Sequence, residues 1–154
     1  MASAFSLNHA LWETHNLQNY SYVFEMRCYC PRVAPLRVVV VDGRVVAVID
    51  AESGTSPGKD LLGRSFLSSE GGEVVKTPDD IFNIVAKALE EQSIIAAGGS
   101  GPDPRIAGLE FDETYGFPAA GSLAYGRYLE ESGAEISITD SRRGYRIYDL
   151  RVRP

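Results

Sequence analysis

The sequence predicts an α+β fold: an antiparallel sheet of four to six strands with two helices packed on one face. Three observations lead to this prediction. Runs of alternating apolar and polar residues predominate, an Asp-Gly turn joins two of them, and only two segments have helical spacing. No strand-helix series typical of a parallel sheet is present. At 154 residues, with 44% hydrophobic and 23% charged residues, the chain is expected to form a single domain over residues 1–154.

Two segments have apolar residues at helical spacing. The first, residues 6–17, is capped by its initial serine, and residues 1–5 are expected to be disordered or to derive from expression. The second follows Thr77, where Pro78 and two aspartates favour a helix start, and it should end before Gly98. Its apolar side chains are expected on one stripe, formed by Ile81, Ile84, Val85, Ala88 and Leu89.

The strands are predicted from alternation with period two and from β-branched residues. Asp42-Gly43 between two Val-rich runs predicts a hairpin, because a type I′ turn needs positive φ at both central positions. Residues 52–76 are rich in glycine and small polar residues and are expected to form a long loop. The candidate strand segments, of which four to six are expected in the sheet, are residues 20–29, 36–41, 44–49, 106–112, 119–125, 135–140 and 145–152.

The last predicted strand is the most basic part of the chain. Tyr145, Ile147 and Asp149 are expected to share one of its faces. The nearby arginines are interpreted as a solvated strand edge rather than a nucleic-acid site, and the net charge of −6 also disfavours nucleic-acid partners and anionic membranes. No apolar run reaches the roughly twenty residues of a membrane helix. The arginines are Arg142, Arg143, Arg146, Arg151 and Arg153.

Several short motifs occur in one order along residues 12–152. They are Trp12 near the end of the first helix, Tyr20-Ser21-Tyr22, Cys28-Tyr29-Cys30-Pro31, the Val-rich hairpin, Thr77-Pro78-Asp79-Asp80 and Tyr115-Gly116-Phe117-Pro118. This order resembles the domain of unknown function 6174 family, small domains mostly of bacterial exported proteins and lipoproteins. The resemblance implies a fold and export but no activity.

Two features depart from that resemblance. Ala119-Ala120-Gly121-Ser122 stands where a β-branched strand is expected, so its register should be weakly defined. The first residues lack the basic start and apolar core of a secretory signal. We therefore expect either an intracellular protein, or one whose export signal was removed and whose Met1 was added for expression. The resemblance favours an extracytoplasmic or secreted location.

Cys28 and Cys30 are the two cysteines of the chain, and in a strand they point to the same face. Their Cα atoms would lie about 6.6 Å apart in an extended strand, so a disulfide would need a local bend. A disulfide or packed thiol pair, a redox-active pair and metal ligation are the alternatives. His9 and His15 lie on different faces of their helix, so no metal site and no cofactor are assigned.

The sequence contains none of the common catalytic motifs, so no catalytic residue is assigned. Our leading hypothesis is a non-enzymatic binding domain for a protein or small ligand, using an open sheet face or the turn at residues 115–118. The second hypothesis is a thiol-dependent redox or metal protein using Cys28 and Cys30. No oligomeric state is predicted. Most aromatic residues should pack in the core, and the candidate binding residues are Trp12, Tyr22, Tyr115 and Phe117.

Overall fold

The structure is a computed structural model that describes residues 2–28, 35–55, 76–126 and 143–153. These ranges contain two α-helices and six β-strands, which confirms the predicted α+β class. The predicted strand at 135–140 and most of the predicted loop at 52–76 lie outside them. In chain order the elements are α1 (Ala2–His15), β1 (Tyr20–Cys28), β2 (Leu36–Val41), β3 (Arg44–Asp50), α2 (Pro78–Ala96), β4 (Asp103–Phe111), β5 (Pro118–Gly126) and β6 (Arg143–Val152).

The six strands form one antiparallel sheet in the order β3-β2-β1-β6-β5-β4. The C-terminal strand β6 returns to the centre and pairs with β1 on one side and β5 on the other. The interpretation of its arginines as a strand edge is therefore wrong. Arg146 instead lies over the ring of Tyr148, 5.0 Å from its centroid, and Arg151 pairs with Asp149 at 2.9 Å.

The hairpin and the start of α2, both predicted from local sequence signals, are confirmed. Asp42 and Gly43 have φ of 51° and 75°, and they join β2 to β3. Thr77 caps α2: its hydroxyl accepts from the backbone N–H of Asp80 at 3.1 Å, and the Asp80 carboxylate accepts from the Thr77 N–H at 2.9 Å. The helix ends at Ala96, before Gly98. The predicted apolar stripe of α2 is buried or half-buried throughout.

Helix α1 begins at Ala2, so the predicted start at Ser6 is wrong and residues 2–5, expected to be disordered, are helical. The reason is a tertiary contact that propensity does not reveal. The Phe5 ring packs edge-on against Phe82 of α2, with centroids 5.8 Å apart, and it also contacts the His9 ring at 5.7 Å. Burial of Phe5 against α2 extends the packed face of α1 by one turn before Ser6.

A β-bulge in β6 places the Asp149 side chain on the opposite face of the sheet from the one predicted. Two residues, Asp149 and Leu150, stand opposite Tyr22 of β1, and Asp149 has a φ of 51°. The extra residue shifts the alternation, so that Leu150 packs against the core. The Asp149 side chain instead contacts Arg37, on the other face of the sheet from Tyr145 and Ile147.

The core lies between one face of the sheet and the two helices. Alternate residues of β1, at positions 20, 22 and 24, join the buried side chains of both helices in a single cluster. The second face is buried at the centre as well, at Ser21, Val23 and Val39. In the described part of the chain, neither helix has the length and apolar character needed to cross a membrane. The cluster comprises Phe5, Trp12, Tyr20, Tyr22, Phe24, Leu36, Val38, Val40, Val48, Ile81, Phe82, Val85, Phe117 and Ile147.

Candidate functional site

The Trp12 side chain contacts residues of three other sequence motifs in the core. Its indole N–H donates to the Asp79 carboxylate of the α2 cap at 2.9 Å. Its ring packs edge-on against Tyr20 of β1, with centroids 5.6 Å apart, and against Phe117 at 6.2 Å. The motifs at residues 12, 20–22, 77–80 and 115–118 therefore form one structural junction between α1, α2 and the sheet.

The turn at residues 115–118 is a docking point for α1. Gly116 has a φ of 81°, and a Cβ placed on it would lie 2.4 Å from the Asn8 carbonyl oxygen and 3.0 Å from Leu11 Cβ. Only glycine permits this approach. The neighbouring Tyr115 ring packs edge-on against His15, with centroids 4.9 Å apart. The turn is therefore already in contact with α1. A partner that binds the turn would have to reach residues that pack against this helix.

The four candidate binding residues are mostly inside the protein. Trp12, Tyr22 and Phe117 are 4%, 0% and 3% exposed, and Tyr115 is half-buried. The Tyr22 hydroxyl donates to the Lys76 carbonyl at 2.7 Å. A partner at the surface could reach little of the three buried rings, which agrees with the expectation that most aromatic residues pack in the core.

The cysteine hypothesis stays a prediction. Cys28 is the last residue of β1, and its backbone pairs with Arg143. Cys30 lies outside the described residues. Among the residues that the structure describes, no group of three or more histidine, cysteine, aspartate or glutamate side chains is arranged to hold a metal. His9 and His15 have separate partners: His9 pairs with Glu13 at 3.1 Å, and His15 is 3.0 Å from the Thr114 carbonyl oxygen.

An apolar cavity of about 220 Å³ lies between α2 and the core face of the sheet. Helix α2 forms its roof with residues at i, i+3 and i+4 spacing, which place three side chains on one side. The floor is formed by β1, β6, β5 and β4. The described residues that line the cavity are Phe24, Met26, Lys76, Ile81, Ile84, Val85, Ile106, Leu109, Gly121, Ser122, Leu123, Gly144 and Tyr145.

Small residues on two adjacent strands make room for this cavity. Gly121 of β5 pairs with Tyr145 of β6, and Ser122 pairs with Gly144. A Cβ on Gly121 would lie 3.4 Å from the Tyr145 ring and 3.3 Å from Leu109 Cδ1. The aromatic ring over a strand glycine supports the regular pairing of β5 with β6, whereas the pairing of β5 with β4 has register shifts on both sides of the Glu110–Ala120 pair. Gly121 and Gly144 have no side chain and Ser122 has a small one, so these residues leave space beneath α2.

The polar groups of the lining are few, and two are already engaged. The Tyr145 hydroxyl donates to the Pro118 carbonyl at 3.1 Å, and burial raises the pKa of this hydroxyl far above its usual range. The Ser122 hydroxyl donates to the Ala107 carbonyl at 3.3 Å. Lys76 is the one charged residue among the described residues of the lining. The cavity thus offers an apolar interior and a single cationic group.

Two further depressions, of about 600 Å³ and 340 Å³, are more polar and more open to solvent. Glu110 and Arg146 line both of them, and Asp112 and Asp149 add charge to the second. Part of this charge is already neutralised, because Asp149 pairs with Arg37 and Arg151. We therefore regard the apolar cavity beneath α2, which is less open to solvent than the other two, as the candidate site.

Sequence reasoning missed the main features of the cavity. Gly121 was interpreted as a departure from a regular strand, and Tyr145 only as one member of an alternating face. The useful signal was a glycine in a predicted strand, which often marks the close approach of another group. Lys76 carried no signal, because its position at the cavity follows from the fold.

Comparison with known proteins identifies one family. The model of a family of unknown function, DUF6174, matches residues 4–97, which is more than half of the chain. The match includes Trp12 and the cap of α2, and it ends before the turn at residues 115–118. No curated protein and no solved structure matches the chain.

Proposed function

We propose that this chain, which belongs to the family of unknown function DUF6174, is a non-enzymatic binding domain that holds a small apolar ligand in the cavity beneath α2. The observation that carries the proposal is the cavity itself, about 220 Å³ lined mainly by aliphatic and aromatic side chains. Close-packed interiors leave little unfilled space, so an apolar cavity of this size against the core, partly open to solvent, is a candidate ligand site.

The size of the cavity limits the ligand. An apolar cavity of about 150 Å³ is enough to hold benzene, and at the packing density of protein interiors this cavity holds an alkyl chain of roughly six to eight carbon atoms. Transfer of each methylene group from water contributes about 0.8 kcal/mol. A short alkyl chain therefore has enough apolar surface for measurable binding without a specific hydrogen bond.

The polar groups of the lining favour binding over catalysis. The Tyr145 and Ser122 hydroxyls donate to backbone carbonyls, and Lys76 has no acidic neighbour among the described residues of the lining. Acid-base catalysis needs a positioned proton donor or acceptor, and nucleophilic catalysis needs an activating neighbour. The described lining provides apolar contact area and shape.

The proposal is tested by titrating the purified domain with hexanol and recording methyl NMR spectra. Saturable shifts are expected for the methyl groups of Ile84, Ile106 and Leu109, which line the cavity. Leu123→Phe adds volume inside the cavity and should abolish the shifts. Leu7→Phe is the matched control, because it makes the same change at a leucine that is 74% exposed, and it should leave the shifts intact.

Absence of saturable shifts in the wild-type protein would refute the proposal, as would shifts in Leu123→Phe equal to those of the wild type. The non-enzymatic part has its own test. The alcohol and a panel of short esters should be recovered unchanged after prolonged incubation with the domain, and catalytic consumption of any of them would overturn it.

A further inference from the structure

We infer that the ligand of this cavity is a short aliphatic carboxylate, with its alkyl chain beneath α2 and its carboxylate at the Lys76 ammonium. This inference rests on the proposed function and adds the chemical class of the head group. It follows from the position of one lysine at a cavity whose other described lining residues are uncharged.

The backbone of Lys76 is held in place at its carbonyl and at the residue that follows. Its carbonyl accepts a 2.7 Å hydrogen bond from the buried Tyr22 hydroxyl of β1. The next residue, Thr77, forms the two reciprocal hydrogen bonds of the α2 capping box. These contacts fix the point from which the side chain starts, between β1 and the first turn of α2.

Lys76 supplies the positive charge that would attract an anion. None of the ion pairs in the described part of the chain involves this residue. A carboxylate at an ammonium gains the Coulomb attraction of an ion pair in addition to a hydrogen bond from the charged donor. An alcohol of the same chain length gains that hydrogen bond without the ion pair, and an alkylamine places two cations together. The cavity should therefore rank carboxylate above alcohol above amine.

Neither hydroxyl of the lining competes for this role. Tyr145 and Ser122 already donate to the carbonyls of Pro118 and Ala107, so a carboxylate would have to break an internal hydrogen bond to be recognised by either. Breaking such a bond leaves a buried carbonyl unpaired, which is costly. Lys76, the charged residue of the described lining, is thus the group to which we assign the selection of the head group.

The experiment compares hexanoate, hexanol and hexylamine by calorimetry at neutral pH and low salt. In the wild-type protein, hexanoate should bind roughly three- to tenfold more tightly than hexanol, the range expected of one partly exposed ion pair. Lys76→Met keeps the aliphatic stem and removes the charge, so it should make the two affinities equal. Lys87→Met is the matched control on an exposed position of α2, and it should preserve the preference.

The possible outcomes separate the two proposals. If hexanol binds and hexanoate binds no better, or if Lys76→Met retains the preference, the head-group inference is wrong while the apolar-ligand function stands. If none of the three compounds binds the wild-type protein, the proposed function itself fails. Tighter binding of hexylamine would also overturn the inference, because it would assign the selection to the net charge of −6 rather than to Lys76.

Discussion

The indole N–H of Trp12 donates to the carboxylate of Asp79 at 2.9 Å, across 67 residues of sequence. This hydrogen bond links the C-terminal half of α1 to the first turn of α2, while the Trp12 ring packs in the core. Asp79 also lies at the positive end of the α2 dipole, where a carboxylate stabilises the helix. One side chain thus serves both the start of α2 and the docking of α1.

The contribution of this hydrogen bond can be measured with a double-mutant cycle. Trp12→Phe and Asp79→Ala should each destabilise the protein, and the double variant should be less destabilised than the sum, with a coupling of about 1 kcal/mol. Urea unfolding of the four proteins provides the free energies. Because the effect of Asp79 on the helix dipole appears in both backgrounds, it cancels from the coupling. Strict additivity would show that the bond contributes nothing.

Gly116→Ala should be strongly destabilising, because it combines two costs. Positive φ costs a residue with a Cβ about 1–2 kcal/mol, and the new Cβ would in addition lie 2.4 Å from the Asn8 carbonyl oxygen. Gly98→Ala is the control: Gly98 has a φ of 88° but no atom within 4 Å of its added Cβ. Thermal unfolding should show a clearly larger loss for Gly116→Ala. Equal losses would mean that α1 does not depend on this close approach.

The contact between Arg37 and Asp149 should make stability depend on pH in the acid range. Hydrogen bonds from Arg37 and then Arg151 lower the pKa of the Asp149 carboxyl below its usual 3.8. A lowered pKa in the folded state adds stability that is present above the unfolded-state pKa and is lost as pH falls. Wild-type stability should therefore decrease as pH drops below about 4, the unfolded-state pKa of aspartate.

Asp149→Asn isolates this effect, because asparagine also tolerates the positive φ of the bulge. The variant should be less stable than the wild type at neutral pH, and the difference should shrink towards low pH. Asp50, whose pKa is lowered by hydrogen bonds from the backbone N–H groups of Ser53 and Glu52, is present in both proteins and cancels from the comparison. A difference that stays constant with pH would contradict the assignment.

Three buried tyrosines should ionise only when the protein unfolds. Burial raises the pKa of Tyr20, Tyr22 and Tyr145 well above 10.0, and Asp79 adds to this effect at Tyr20. In the unfolded chain these hydroxyls ionise at about pH 10, so stability should fall as pH rises above that value. Alkaline titration of the tyrosinate absorbance should show a late fraction that coincides with loss of secondary structure.

Tyr145→Phe should reduce that late fraction by one of the eight tyrosines of the chain. The urea-unfolded protein is the reference, since all eight should titrate there in a single phase. Titration of every tyrosine in the native protein, with its circular dichroism unchanged, would rule out the burial that the structure assigns to these three side chains.

Much of the fold could be predicted because its signals are local. The hairpin follows from Asp42-Gly43, because both residue types tolerate positive φ, and in the fold their N–H groups also donate to Asn19 and Gln18. The start of α2 follows from Thr77, Pro78 and Asp80, which lie within four residues of one another. The apolar stripe of α2 was predicted because helical period alone places those residues on one side.

The candidate site could not be predicted in the same way. The sequence suggests Trp12, Tyr22 and Phe117 as binding residues because they are aromatic, but sequence gives residue type and not depth, and all three lie in the core. The cavity depends on the volumes that meet beneath α2. Gly121 and Tyr145 become neighbours only because β5 and β6 pair in one register.

The sequence by itself determined which segments are helices and strands, because backbone propensity, capping and turn chemistry act over a few residues. Tertiary structure decided that β6 lies between β1 and β5, that α1 extends back to Ala2, and that a bulge moves Asp149 to the face of Arg37. These outcomes depend on side chains that are distant in sequence and compete for the same space. The cavity beneath α2 is decided in the same way, by which side chains fill the core and which leave it open.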